Sequence, residues 1–74
     1  MAELRTRDLQ IATYLVTIGR RLARVDRGRQ HKVFVFEDVP ESDVVAYYQD
    51  AKLVSPRKLF NSYRDLKNLL FEVA

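Results

Sequence analysis

The chain has 74 residues and a mass of 8.7 kDa, with no Cys, no Trp, one His and a formal charge of +3 from thirteen basic and ten acidic side chains. That length admits one domain, residues 1–74 with an ordered core expected over about 6–73, and 47% hydrophobic content reads as globular. The absence of cysteine excludes disulfide staples and thiolate metal sites.

A core this small supplies only about 3–5 kcal/mol of net stability, so self-association into a homodimer is the expected reinforcement. Met1-Ala2-Glu3-Leu4-Arg5 lacks the apolar stretch of a secretory signal. The runs Val33-Phe34-Val35-Phe36 and Leu69-Leu70-Phe71 are far shorter than a membrane span. A cytoplasmic protein with no membrane contact is the expectation.

The pattern predicts helix, hairpin, helix, helix. The first helix is expected over about Arg7–Ile18, with Thr6 as N-cap and Asp8 in the first turn, where a carboxylate faces the positive end of the dipole. Ile11, Leu15 and Ile18 form its apolar stripe, and Gln10, Thr13 and Thr17 its polar side. Gly19 is placed to end it in a left-handed conformation.

Two strands follow, about Arg21–Asp26 and His31–Glu37, joined by Arg27-Gly28-Arg29-Gln30 with Gly28 expected to supply a positive φ. Lys32, Phe34 and Phe36 point one way, and His31, Val33, Val35 and Glu37 the other. A lone two-stranded ribbon is marginal in water and leaves two open edges. Val33 and Val35 are therefore candidate interface residues, with a four-stranded sheet across a dimer as one solution.

The second helix starts near Pro40 with Glu41 and Asp43 in its first turn, and Val44, Tyr47, Tyr48 and Ala51 on one side. Ser55-Pro56 signals the third, expected over about Pro56–Val73. Its stripe is Leu59, Tyr63, Leu66, Leu70 and Val73, and its far side holds Arg57, Asn61, Arg64 and Asn68. Phe60, Lys67 and Phe71 lie between the two. The fold class is α+β, of order α-β-β-α-α, with the hairpin packed on the helices.

Thr6-x-Asp8-Leu9, Ala12-x-Tyr14-Leu15, Gly19, Phe34-Val35-Phe36-Glu37, Tyr48, Pro56, Phe60-Asn61 and Arg64-x-x-Lys67 resemble a family of small bacterial and phage-associated domains of unknown function. The resemblance runs from Thr6 to about Leu70 and rests mostly on cap and core residues. It implies a shared fold, carries over no activity, and by analogy alone leans toward nucleic-acid association.

Charge along the chain is blocky. Residues 20–32 carry Arg20, Arg21, Arg24, Arg27, Arg29 and Lys32 against Asp26, while residues 33–50 carry five carboxylates and no base. The basic block is dense enough to follow a phosphate backbone, and Arg57, Asn61, Arg64 and Asn68 have the chemistry of base-edge contacts. A solvated hairpin and a solvated helix face are the plain alternatives.

Catalysis is not expected. His31 has only Ser42, Ser55 or Ser62 as nucleophile partners, and Ser55 and Ser42 are accounted for at helix starts. Glu37, Asp38, Glu41 and Asp43 match no calcium-loop spacing, and Gly19 and Gly28 are too isolated for a phosphate loop. No cofactor, metal or small-molecule substrate is indicated. The expectation is a non-enzymatic binding protein: a nucleic-acid-binding accessory or regulatory factor, contacting DNA or RNA. The competing reading is a homodimeric protein-interaction module anchored by Phe60 and Phe71, touching no nucleic acid.

Overall fold

The computed structural model describes residues 3–28, 30–49 and 53–72. Element order is β1 (Glu3–Thr6), α1 (Leu9–Thr17), β2 (Leu22–Arg27), β3 (Lys32–Glu37), α2 (Glu41–Tyr48) and α3 (Pro56–Glu72). This is a small α+β domain with one more strand than the sequence pattern predicts. The sheet is antiparallel with spatial order β1-β3-β2. The expected α-β-β-α-α order is thereby corrected to β-α-β-β-α-α.

The extra strand changes how the hairpin is protected. Leu4 pairs with Phe36 and Thr6 with Phe34, so β1 occupies the second edge of β3. A four-stranded sheet made by joining two hairpins through that edge is excluded by the chain's own N-terminal strand.

Thr6 closes β1 rather than capping α1. Asp8 is the N-cap, accepting from the Gln10 amide at 2.8 Å, while the Thr6 hydroxyl accepts from the Asp8 amide at 3.1 Å. At the other end Gly19 has φ +98°, with Arg20 N–H donating to the Leu15 carbonyl at 2.9 Å and Gly19 N–H to Val16 at 3.1 Å. That pair of bonds is a Schellman cap, and it requires the left-handed glycine.

Gly28 is needed for a different reason than its expected positive φ. Its amide donates to the His31 carbonyl at 2.8 Å, and a Cβ there would lie 2.5 Å from that same oxygen. Close approach of the two backbones selects glycine. Asp38, a non-glycine residue, has a positive φ of 56° and turns the chain from β3 into α2.

Phe34 and Phe36 are buried with Ile11, Ala12, Tyr14 and Leu15 of α1, Val39, and Leu66 of α3. The helices thus cover one sheet face, as the apolar spacing predicts. Two helix details differ. Thr13 is buried, its hydroxyl donating to the Leu9 carbonyl at 2.7 Å, which satisfies a side chain assigned to a polar face. On α3, Ser62 is buried and Tyr63 partly exposed, shifting the stripe toward Leu59, Ser62, Leu66 and Leu70. Tyr48 of α2 is exposed, edge-on to Tyr47 at 5.3 Å between centroids. Ala51 and Val73 lie outside the described residues.

Among the described residues, no helix packs on the other sheet face. Arg5 and Arg24 both pair in register with Val35, one from each flanking strand. Arg5 reaches Glu3 at 3.5 Å and Asp26 at 3.1 Å; Arg24 reaches Asp26 at 2.9 Å and Glu3 at 3.6 Å. Because β3 lies between β1 and β2, the Arg5–Asp26 and Arg24–Glu3 pairs cross over it. Val35, in register between the two arginines, is fully buried. It is therefore covered within its own chain.

Candidate nucleic-acid interface

The basic block of the hairpin separates once folded. Arg20 turns to α2, where its Nε donates to the buried Asp43 carboxylate at 2.5 Å. Arg24 belongs to the ion-pair lattice on the helix-free face. The Asp26 carboxylate, hydrogen-bonded by Arg24, is held below the usual Asp range, and Arg24 is raised in turn, first by that same bond. Arg21 and Arg27 are exposed on β2 and its approach, and Arg29 lies outside the described residues.

Arg57, Asn61, Arg64 and Asn68 do share the exposed side of α3, with Arg64 within 3.4 Å of Asn61 Oδ1. Arg20 and Asn68 meet across a shallow groove with Val16 and Leu22. Arg24 lies on the opposite side of the sheet from α3, so it does not share a surface with Arg57, Asn61, Arg64 and Asn68.

A different set comes together. Between the start of α1, the tip of the hairpin and the C-terminal half of α3 is a cleft of about 410 Å³. Arg7, His31, Lys32 and Lys67 line it with Gln30, Phe34 and Phe71, and no carboxylate is among its described lining residues. Lys32 is fixed there by donating from Nζ to the Leu70 carbonyl. A cation from β3 thereby supplies the C-terminal end of α3 with the positive charge its own last turn lacks. An ammonium has three donors, so this anchor leaves Lys32 able to bind an anion as well.

Toward the N-terminal half of α3 the same wall changes character. A groove of about 480 Å³ opens between α1, α2 and α3, lined by Tyr14, Tyr47, Phe60, Tyr63, Thr13 and Gln10 among others, with no charged side chain. The Lys67 ammonium lies 5.4 Å from the Tyr63 ring centroid, a cation–π contact that joins the basic cleft to the aromatic groove. Phe60, Tyr63, Lys67 and Phe71 follow i, i+3, i+7, i+11 along one helix edge. That spacing is the signal by which sequence reading could have found the trough.

Among the described residues, no three His, Asp or Glu side chains gather as a ligand set, and no helix is long and apolar enough to cross a membrane. Residues 1–72 match the profile of a family described as a domain of unknown function (DUF5659). The chain belongs to that family. Comparison with curated proteins and with solved structures gives no match.

Proposed function

We propose that the protein binds single-stranded nucleic acid along this trough, as a small non-enzymatic accessory or regulatory factor. The observation that carries the reading is the cleft of Arg7, His31, Lys32 and Lys67 beside Phe71, with no carboxylate among its described lining residues. Phosphates satisfy such a cleft, and aromatic rings next to it offer stacking platforms to unpaired bases. A duplex is the poorer fit, because Arg20 and Arg24 at the hairpin, which would track its backbone, are engaged with Asp43, Asp26 and Glu3.

The test is a fluorescence-anisotropy titration of the full chain with labelled single-stranded and duplex oligonucleotides at low salt. Single strands should bind with Kd below about 100 μM, within the usual non-specific range or tighter, and more tightly than duplex. Absence of binding to either overturns the reading.

A second reading, a protein-interaction module, is favoured by the exposure of Phe60 (69%) and Phe71 (79%). Pairing with a second copy through this face meets an obstacle. An antiparallel arrangement that sets Phe60 against Phe71 also sets Arg64 against Lys67, placing like charges at the centre. Under this reading Phe60→Ala or Phe71→Ala dissolves an assembly seen by light scattering, while cation substitutions in the cleft change nothing.

A further inference from the structure

The sheet ends in an open strand. Spatial order β1-β3-β2 leaves the outer edge of β2 without a strand partner among the described residues. The hairpin turn fixes which backbone groups face outward. Gly28 N–H donates to the His31 carbonyl, so positions 28 and 31 face each other as a hydrogen-bonded pair. Antiparallel pairs alternate, which makes Asp26–Val33 and Arg24–Val35 hydrogen-bonded pairs as well. The N–H and C=O groups of Val25 and Arg27 therefore point away from β3. Side chains alternate too: Val25, opposite Phe34, packs toward the core, while Arg24 and Asp26 project from the other face and pair there.

We propose that β2 pairs antiparallel with β2 of a second copy about a two-fold axis at Val25, joining two three-stranded sheets into one of six. Charge complementarity selects that register. Centred on Val25, each Val25 exchanges two backbone hydrogen bonds with its copy, and Arg24 of each chain lies directly opposite Asp26 of the other. A centre on Arg24, on Asp26 or on Arg27 sets like charges against each other at the axis. A centre on Ala23 falls on the bulge between Leu22 and Arg24. Charged side chains ordinarily guard an edge strand, but here the alternation of sign is self-complementary. Both groups have capacity to spare. Contacts within the chain use Nε and Nη1 of Arg24, and a guanidinium has five N–H donors. The Asp26 oxygens each meet one arginine, at 2.9 and 3.1 Å, and each can accept a further bond. The inference is independent of the nucleic-acid reading, since the pairing needs no ligand.

The experiment measures self-association of the full chain by sedimentation velocity and light scattering, without nucleic acid, in the unaltered protein, in Asp26→Arg and in Arg24→Asp. Thermal melts show that each variant folds. The unaltered chain should be dimeric at high micromolar concentration. Each variant alone should associate at least about 10-fold more weakly, because two attractive pairs become repulsive. An equimolar mixture of the two variants should dimerise again, since the doubly basic strand then faces the doubly acidic one. The register has its own readout, because the chain has no cysteine. Val25→Cys should oxidise to a cross-linked dimer, whereas Arg27→Cys places its two thiols about 13 Å apart along the strands and should not. A monomer at high micromolar concentration overturns the proposal. So does a dimer that persists in both charge variants, a mixture of folded variants that stays monomeric, or cross-linking at position 27 in place of 25.

Discussion

Replacing Tyr14 by Phe removes one oxygen from a side chain that is 6% exposed and whose hydroxyl has no partner. An unpaired buried polar group costs about 1–3 kcal/mol, whereas an apolar group of the same shape carries no such penalty. The ring, its 5.4 Å contact with Tyr47 and its packing in the core with Leu15 and Phe34 are retained. Tyr14→Phe should therefore stabilise the free protein by about 1 kcal/mol or more, raising Tm by roughly 4–8 °C in a domain of this length. Urea unfolding followed by circular dichroism reads the change, with an unaltered m-value as the sign that compactness is preserved. A loss of 1 kcal/mol or more would show that the hydroxyl makes a native hydrogen bond in the free protein.

Three further outcomes follow from the packing. Phe36→Ala, at a fully buried position flanked by Leu4 and Leu22, should cost about 3–5 kcal/mol and bring a domain of this size close to unfolding at room temperature, as read by urea titration. Asp26 titrates below its ordinary value near 3.8 because of the Arg24 hydrogen bond, so its stabilising contribution is complete above that pH and is lost as pH falls through the lowered value. Asp26→Asn should flatten the acid limb of a stability-against-pH curve, and added salt should shrink the difference. Gly28→Ala would place a Cβ 2.5 Å from the His31 carbonyl, so about 1–3 kcal/mol of stability should be lost, together with the position of His31 in the cleft.

The core was legible from spacing alone. Phe34 and Phe36 alternate on a strand, Ile11 and Leu15 recur at helical spacing, and Leu66 sits on the best-patterned helix; all five are buried together. β1 was not legible because Glu3-Leu4-Arg5-Thr6 has one strongly apolar residue, and Thr6 and Asp8 both have the chemistry of a helix cap. Its strand character comes from partners far along the chain, Phe34 and Phe36. The charge blocks misled for a related reason. Counting along the sequence pairs Arg24 with its basic neighbours, whereas in space it meets Asp26 and Glu3, and Arg20 meets Asp43. The trough draws Arg7, His31, Lys32 and Lys67 from separate segments, so no local window could show them as a set. Tyr63 reads as a stripe residue because an aromatic ring at helical spacing has the same pattern whether it fills a core or lines a groove.

The central claim, that the cationic cleft takes the phosphates of a single strand, is tested most directly by the salt dependence of binding in the unaltered protein and in Lys67→Gln. Anisotropy titrations of one single-stranded oligonucleotide across a salt series give the slope of log K against log salt. Each phosphate neutralised on a single strand contributes about −0.7 to that slope. The account predicts a clearly negative slope for the unaltered chain, reduced by about 0.7 in Lys67→Gln with weaker binding at every salt concentration. Binding that is insensitive to salt, or a slope that Lys67→Gln leaves unchanged, would contradict it.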